Sequence, residues 1–450
     1  MTSAAGHAGE AADAADPADR GADPADRGVE RADVVIVGAG AAGLMTAASI
    51  RCDSPARILL LDGARTLGAK ILVAGGGRCN VTHHAVDERA YAGSTRPAIR
   101  KVLRRFGVEE TIAFFAERGV MLKREETGKL FPTTDEARTV LDALLAAVHE
   151  VGAEIRHPCR VERVEPIEHA NGGGPSFRVR GAWGEVESRY VVLATGGMAL
   201  PKSGSDGAGY GFARRFGHSV TEAVFPALVP LLLPEGHPLR GLSGLTFDAE
   251  LRLVGPTGKV LERFTNSTLC THFGLSGPSV LDISRYWTAE RRVESGVRLE
   301  LACLPGVVRE RCDEELVGAG GVSLLAHLRG RIPERLIRVV ADAAGVDPTV
   351  SLRQVPKVQR QRLAHLLTGW PLEPTGDRGF THAEVTAGGV PLAELRLETM
   401  ESRVRPGLFL VGEICDVDGR IGGFNFQWAW ASGFVAGRAI TERLDVGASG

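Results

Sequence analysis

An α/β fold is the reading that three segments of this sequence support. A strand, a glycine turn and a helix occupy Asp33 to Ile50, a second apolar strand enters a glycine turn at Tyr190 to Gly197, and a third runs from Leu408 to Val411. Their near-continuous apolar runs fit strands buried on both faces of a sheet better than strands with one wet face. The third returns, after a long intervening stretch, to the domain that the first two begin.

The bulk properties narrow the classes. With 450 residues, 44% of them hydrophobic and 24% charged, the chain is long enough for two or three domains. A net charge of -2 leaves no footprint for nucleic acid or an anionic membrane, so a small-molecule substrate is the expected partner and neither of those two is. Seven scattered cysteines with no CxxC pair predict a reduced, cytoplasmic protein without a metal site. The most apolar stretch, Val34 to Ile50, is interrupted by glycines, which suits a tight turn better than a membrane span. Residues 1–31, with a near-repeat of Asp-Pro-Ala-Asp-Arg-Gly and little apolar bulk, are expected to be a disordered tail.

The first element carries the most specific chemistry. After Val34 to Val37 come Gly38, Gly40 and Gly43 in GxGxxG spacing, with Ala42 inside the same turn. Gly38 allows the turn, Gly40 lets the backbone approach a pyrophosphate, and Gly43 lets the helix close on the strand. The helix start adds free N–H groups and a positive dipole end. The next strand, "RILLLD", ends in Asp62, nineteen residues beyond Gly43, where a carboxylate accepts both ribose hydroxyls. Strand, turn, helix, strand and acid in that order predict a dinucleotide site.

The rest of the chain selects the dinucleotide. Ala194, Thr195, Gly196 and Gly197 form a small-residue turn similar to the mid-chain ATG segment of flavoproteins. Gly412 and Glu413 follow the last strand where such proteins often place a Gly-Asp against the ribityl chain, and Gly422, Gly423, Asn425 and Gln427 open the last helix. That helix start would face the N1 and O2 edge of a flavin. A simple NAD enzyme has no use for a returning strand and helix. FAD has, because its ring lies far from its adenine.

Five segments in order, "LGAKILVAGGGRCNVTH", "TGKLFPTTDEARTVLDALL", "CTHFGLSGPSVLDIS", "AEVTAGGV" and "GEICDVDGRIGGFNFQWAWASG", resemble the signatures of the BaiN/YhiN-like flavoproteins. These are known as NAD(P)/FAD-dependent oxidoreductases and, in some members, as aminoacetone oxidases. The resemblance runs from about residue 33 to residue 440. It implies a Rossmann-like two-part FAD-binding domain (32–205 and 383–444), an inserted antiparallel β-barrel-like domain (206–305 and 369–382) and a small helical subdomain (306–368). It also implies that the glycine-rich segment wraps a non-covalent FAD. Gly75, Gly76 and Gly77 would admit backbone amides to the cofactor, Arg78 and Asn80 would hydrogen-bond it, and Lys70, Cys79 and Thr82 would lie beside it. Cys79 reads as a packing group, since no second cysteine within ten residues equips it for disulfide exchange.

The insert is less informative. Runs such as "DAELRLVG", "GKVLERF" and "GVRLELACL", separated by Gly and Pro, predict antiparallel strands, and the stretch after Val307 has apolar residues at helical spacing. No second GxGxxG follows a strand there, so NAD(P)H, if it is the donor, docks transiently at the flavin face. Within "CTHFGLSGP", Thr271, His272 and Ser276 are the candidates for catalytic groups facing flavin or substrate, against the reading that they cap a turn and the helix beginning at Pro278.

The function expected is that of an FAD-dependent oxidoreductase exchanging hydride between flavin N5 and a small organic substrate. Two versions compete: a reductase of carbonyl-conjugated or steroid-like alkenes drawing on NAD(P)H, and an amine oxidase passing electrons to oxygen. A non-enzymatic flavin-binding redox sensor is the third reading.

Overall fold

The structure is a computed structural model that describes residues 29–53, 55–168 and 176–448. Nearly all of the expected tail lies outside these residues, and Glu30 and Arg31 already belong to the first strand, β1 (Glu30–Val37). β1 lies inside a mixed nine-stranded sheet whose inner pairings are parallel. It pairs with β2 (Ile58–Leu61) on one side and with Gly184–Leu193 on the other. Glu154–Arg156 extends the sheet beyond β2, and Leu408–Leu410 extends it beyond Gly184–Leu193. Val34, Val35 and Ile36 are wholly buried, as a strand covered on both faces must be.

Helix α1 (Ala41–Ala48) packs against the last helix, Phe424–Ala448. The approach is set by small residues: a Cβ on Gly433 would stand 2.6 Å from the Ala42 carbonyl oxygen, and one on Gly437 would stand 2.5 Å from that of Thr46. The C-terminal segment is therefore locked to the N-terminal turn, which makes one domain of two distant parts of the chain.

The intervening chain forms a second core around a seven-stranded sheet. Thr246–Val254 pairs with Val260–Thr271 and Arg298–Ala302, and the order ends at Trp370–Leu372 on one edge and Gly376–Asp377 on the other. A barrel-like insert was expected; the sheet is antiparallel but does not close, since its end strands are two or three residues long and each pairs on one side only. Helices between Arg309 and Gly369 cover the same core through Leu336, Ile337, Val340, Leu363 and Leu367.

The boundary expected at 205 also moves. Helix Ala208–Arg215 sends Tyr210, Phe212 and Ala213 into the first core, where Phe216 joins them, so the first domain runs past it. The two crossings between the cores, Phe225–Ala227 and Val385–Ala387, pair antiparallel and form a neck. No helix among the described residues is long and apolar enough to cross a membrane.

Candidate functional site

A cleft of about 400 Å³ opens at the C-terminal ends of β1 and β2 and runs to the neck. This is where the geometry of a parallel α/β sheet places ligands. At the β1 end the backbone builds the wall. Gly38 has φ +105°, and a Cβ there would stand 2.4 Å from the Ala194 carbonyl oxygen. A Cβ on Gly43 would meet the Gly38 carbonyl oxygen at 2.0 Å, whereas one on Gly40 would meet nothing of the protein within 4 Å. The outer two glycines thus serve packing, and the middle one keeps space open for a ligand.

Gly40 also caps α1 without a side-chain hydrogen bond, so the first-turn N–H groups face the cleft free of side-chain acceptors. Asp62 is fixed at its edge: Oδ2 accepts from Ala39 N at 2.6 Å and Oδ1 from Ala64 N at 2.7 Å, with lone pairs to spare for hydroxyls. Ala42, Ala194, Thr195 and Gly196 complete this wall. The Thr195 hydroxyl is buried with no protein partner among the described residues and faces Gly209 of the helix behind the wall. An open cradle at Gly40, uncapped amides and a fixed acid fit the pyrophosphate and ribose of FAD.

Helix α2 (Ala69–Gly77) breaks at Ala74 to Gly76, with φ +59° at Gly75 and +71° at Gly76. Gly75, Arg78 and Asn80 reach the cleft, while Gly76 and Gly77 are exposed and lie off it. The Arg78 guanidinium stacks 4.0 Å above the Phe131 ring and pairs with Glu125 at 2.7 Å. The Asn80 amide, oriented to satisfy both ends, donates to Thr82 O at 3.0 Å and accepts from Gly423 N at 3.2 Å, tying this loop to the start of the last helix. Cys79 is fully buried, and burial pushes its thiol up to about 12, which leaves it an inert packing group at pH 7.

Toward the neck the wall is made of side chains. Lys70 Nζ lies 2.7 Å from Glu413 Oε2, and Glu413 Oε1 accepts from Thr386 N at 3.0 Å. Thr386 Oγ1 in turn accepts from Met198 N at 2.7 Å and Ala199 N at 3.0 Å, which holds the turn after Gly197 in place. A Cβ on Gly197 would strike that hydroxyl, so Gly197 supports the wall from behind. Glu384 faces the same cleft. It is accessible from the cleft yet hemmed in by the neck, and this desolvation holds its carboxyl above the usual range, opposed only by the Lys70 charge. Among the described residues nothing hydrogen-bonds or ion-pairs with it.

Some expected site residues are placed elsewhere. Gln427 is fully buried, accepts from the Thr82 and Thr111 hydroxyls at 2.6 and 3.0 Å, and donates to Phe106 O at 2.9 Å. Thr82 and Gln427 therefore brace the last helix against the core instead of facing the cleft, because each offers the other its best buried partner. Gly412, Gly422, Gly423 and Asn425 do line it, although the Asn425 amide is spent on Gly419 at 2.8 and 3.0 Å.

Thr271, His272 and Ser276 do not line the cleft. Thr271 Oγ1 closes a turn on Gly274, His272 is exposed with its ring against Phe273, and Ser276 sits in the ladder opposite Leu269. Their hairpin belongs to the insert's own sheet. Sequence reasoning missed Glu384, whose only signal was an acid beside the small-residue run of "AEVTAGGV", and it missed Lys129 and Arg420 as wall residues.

The family model described as HI0933-like protein Rossmann domain matches residues 32–439. The chain is 34% identical over 414 residues to a 3-dehydro-bile acid delta(4,6)-reductase of Clostridium scindens, covering 91% of this chain and 98% of the relative. It is also 34% identical over 413 residues to a ribosomal RNA dihydrouridine synthase of Escherichia coli, with the same two coverages, 91% and 98%. A solved 3-ketosteroid delta1-dehydrogenase from Sterolibacterium denitrificans aligns with a TM-score of 0.49 at 12% identity, over 92% of this chain and 100% of that one.

Proposed function

Because the chain belongs to the HI0933-like Rossmann family and is an FAD-dependent oxidoreductase, we propose that it reduces a carbon–carbon double bond conjugated to a carbonyl, with NAD(P)H as electron donor. The bile-acid reductase and the dihydrouridine synthase are named for different substrates. A 3-keto-4,6-diene and the C5=C6 bond of uracil nonetheless share this one reactive unit. FAD, bound in the cleft, would supply the hydride chemistry, the carbon remote from the carbonyl being the acceptor. The carbon next to the carbonyl must then gain a proton.

The observation that carries the reading is Glu384, an acid without a partner in the same wall as an ion-paired one. Lys70 and the Thr386 amide engage both oxygens of Glu413, while Glu384 has no such partners among the described residues and its desolvation favours its protonated form. Glu384 would thus be the proton donor. Gly40, the α1 amides and Asp62 would bind the distal half of the cofactor, and Glu384, open to the cleft, would face the substrate. An amine oxidase has less use for such a donor, since its substrate must lose a proton rather than gain one.

The test is anaerobic. NADH or NADPH should bleach the flavin bands of the purified protein, and a carbonyl-conjugated alkene should restore them faster than air does. Bands that survive both nicotinamides and bleach with a primary amine would replace this reading with the oxidase.

A further inference from the structure

A second cleft, of about 330 Å³, adjoins the neck end of the first and shares Lys129, Arg420 and Ile421 with it. Both domains build it. Asn266 and Asp282 come from the insert, whereas His83, Arg89, Thr127 and Phe424 come from the FAD domain. Its composition is one-sided once internal pairings are counted. Asp87 is spent on Arg89, through its N–H at 2.8 Å and its guanidinium at 2.6 Å. Asp282 is spent on Arg420 at 3.0 Å and on Ile421 N at 2.8 Å. The acceptors are therefore engaged.

The donors are not. Asn266 Oδ1 accepts from Ser267 N at 2.8 Å, which leaves its amide nitrogen without a bond among the described residues. Lys129 Nζ has neither a hydrogen bond nor an ion pair among them, although Asp282 feels its charge. His83 stacks on Phe424 with centroids 5.0 Å apart, which gives the floor a flat, rigid surface. A cavity with spare donors from two domains, neutralised acceptors and one uncompensated ammonium is complementary to an anionic, acceptor-rich group.

We infer that this side cleft binds the phosphate-bearing part of NAD(P)H, placing its nicotinamide at the mouth shared with the FAD cleft. The assignment rests on the reductase reading proposed above. It explains how a chain with no second glycine fingerprint takes a dinucleotide donor: side chains at a domain boundary replace the helix N-terminus that such a fingerprint supplies.

Inorganic pyrophosphate titrated calorimetrically into FAD-loaded protein tests the subsite without any turnover. Binding should weaken about tenfold in Asn266→Leu and in Lys129→Gln, with flavin content and melting temperature at the wild-type value in Asn266→Leu, whose side chain lies off the FAD cleft. In anaerobic stopped-flow, Asn266→Leu should raise the NADPH concentration needed for half-maximal flavin bleaching by a similar factor and leave the limiting rate unchanged. Pyrophosphate affinity equal in wild type and both variants would overturn the assignment. A uridine-containing oligonucleotide that displaces pyrophosphate where NADP⁺ does not would also overturn it, by giving the subsite to a nucleic-acid substrate. Failure of both nicotinamides to bleach the flavin, with the calorimetric differences intact, would overturn the donor assignment and the reductase reading while leaving an anion site.

Discussion

At the β1 end of the cleft the backbone does the recognising, through Gly38, Gly40 and the uncapped first turn of α1, whereas at the neck end the recognising groups are side chains. Lys70 and Glu413, which face each other there, are 343 residues apart in the chain. The difference separates two tasks. On the function proposed, the backbone cradle would bind what every dinucleotide enzyme must bind, and the side-chain wall would act on the substrate. Substitutions at the two ends should therefore fail differently, one set losing cofactor or fold and the other losing turnover with cofactor in place.

The largest effect is expected at Gly43. Valine there drives a Cβ against the Gly38 carbonyl oxygen, and since both atoms are held by the helix and the turn, the loss should exceed about 4 kcal/mol and leave little folded protein. A Gly43→Val protein with a wild-type melting temperature would show that α1 does not close on β1 as described.

Glu384→Gln should keep its FAD and lose about a hundredfold or more in turnover, the usual contribution of a general acid. Wild-type activity should be high while Glu384 holds its proton and should fall as the pH rises through that group's titration, which lies above the usual carboxylate range. The variant should lack that fall. Equal pH profiles would take the proton-donor role away from Glu384.

Gln427→Leu sharpens the comparison from the other side. Leaving the Thr82 and Thr111 hydroxyls buried without their acceptor should cost about 1–3 kcal/mol in urea unfolding, with flavin content and turnover unchanged. Loss of flavin at unchanged stability would return Gln427 to the cofactor.

The smallest effect lies away from both ends. Burial, reinforced by Asp418 and opposed by Arg285, pushes Asp416 up to about 6. The folded state then binds this proton more tightly than the unfolded one, so Asp416 lowers stability as pH rises from about 4 to about 6. Asp416→Asn should flatten that slope, a change on the order of 1 kcal/mol in denaturation midpoints compared across the window.

The contrast between the two ends also explains what the sequence made readable. Gly38, Gly40, Gly43 and Asp62 lie within one 25-residue stretch, so their spacing alone carried the first half of the fold and the dinucleotide. Glu384 looked like any acid on a strand, because its meaning comes from the neck that closes around it. Thr82 and Gln427 were assigned to the cofactor by proximity in sequence, and only the packed helix reveals that they face each other. Short β-rich runs separated by Gly and Pro marked strands in the insert but carried no information on closure, which depends on how the short edge strands Trp370–Leu372 and Gly376–Asp377 pair. Helix Ala208–Arg215 is amphipathic, and nothing local says which of two cores its apolar face will join.

The central claim is that the cleft under Gly40 holds FAD, and the absorbance spectrum of purified Gly40→Val beside that of the wild type tests it most directly. Nothing of the protein lies within 4 Å of the new Cβ, so the variant should fold with a wild-type melting temperature while its side chain fills the space kept for the pyrophosphate. Flavin bands present in the wild type and absent from the folded variant are the predicted result. Full FAD occupancy in the folded variant would contradict the placement of the cofactor.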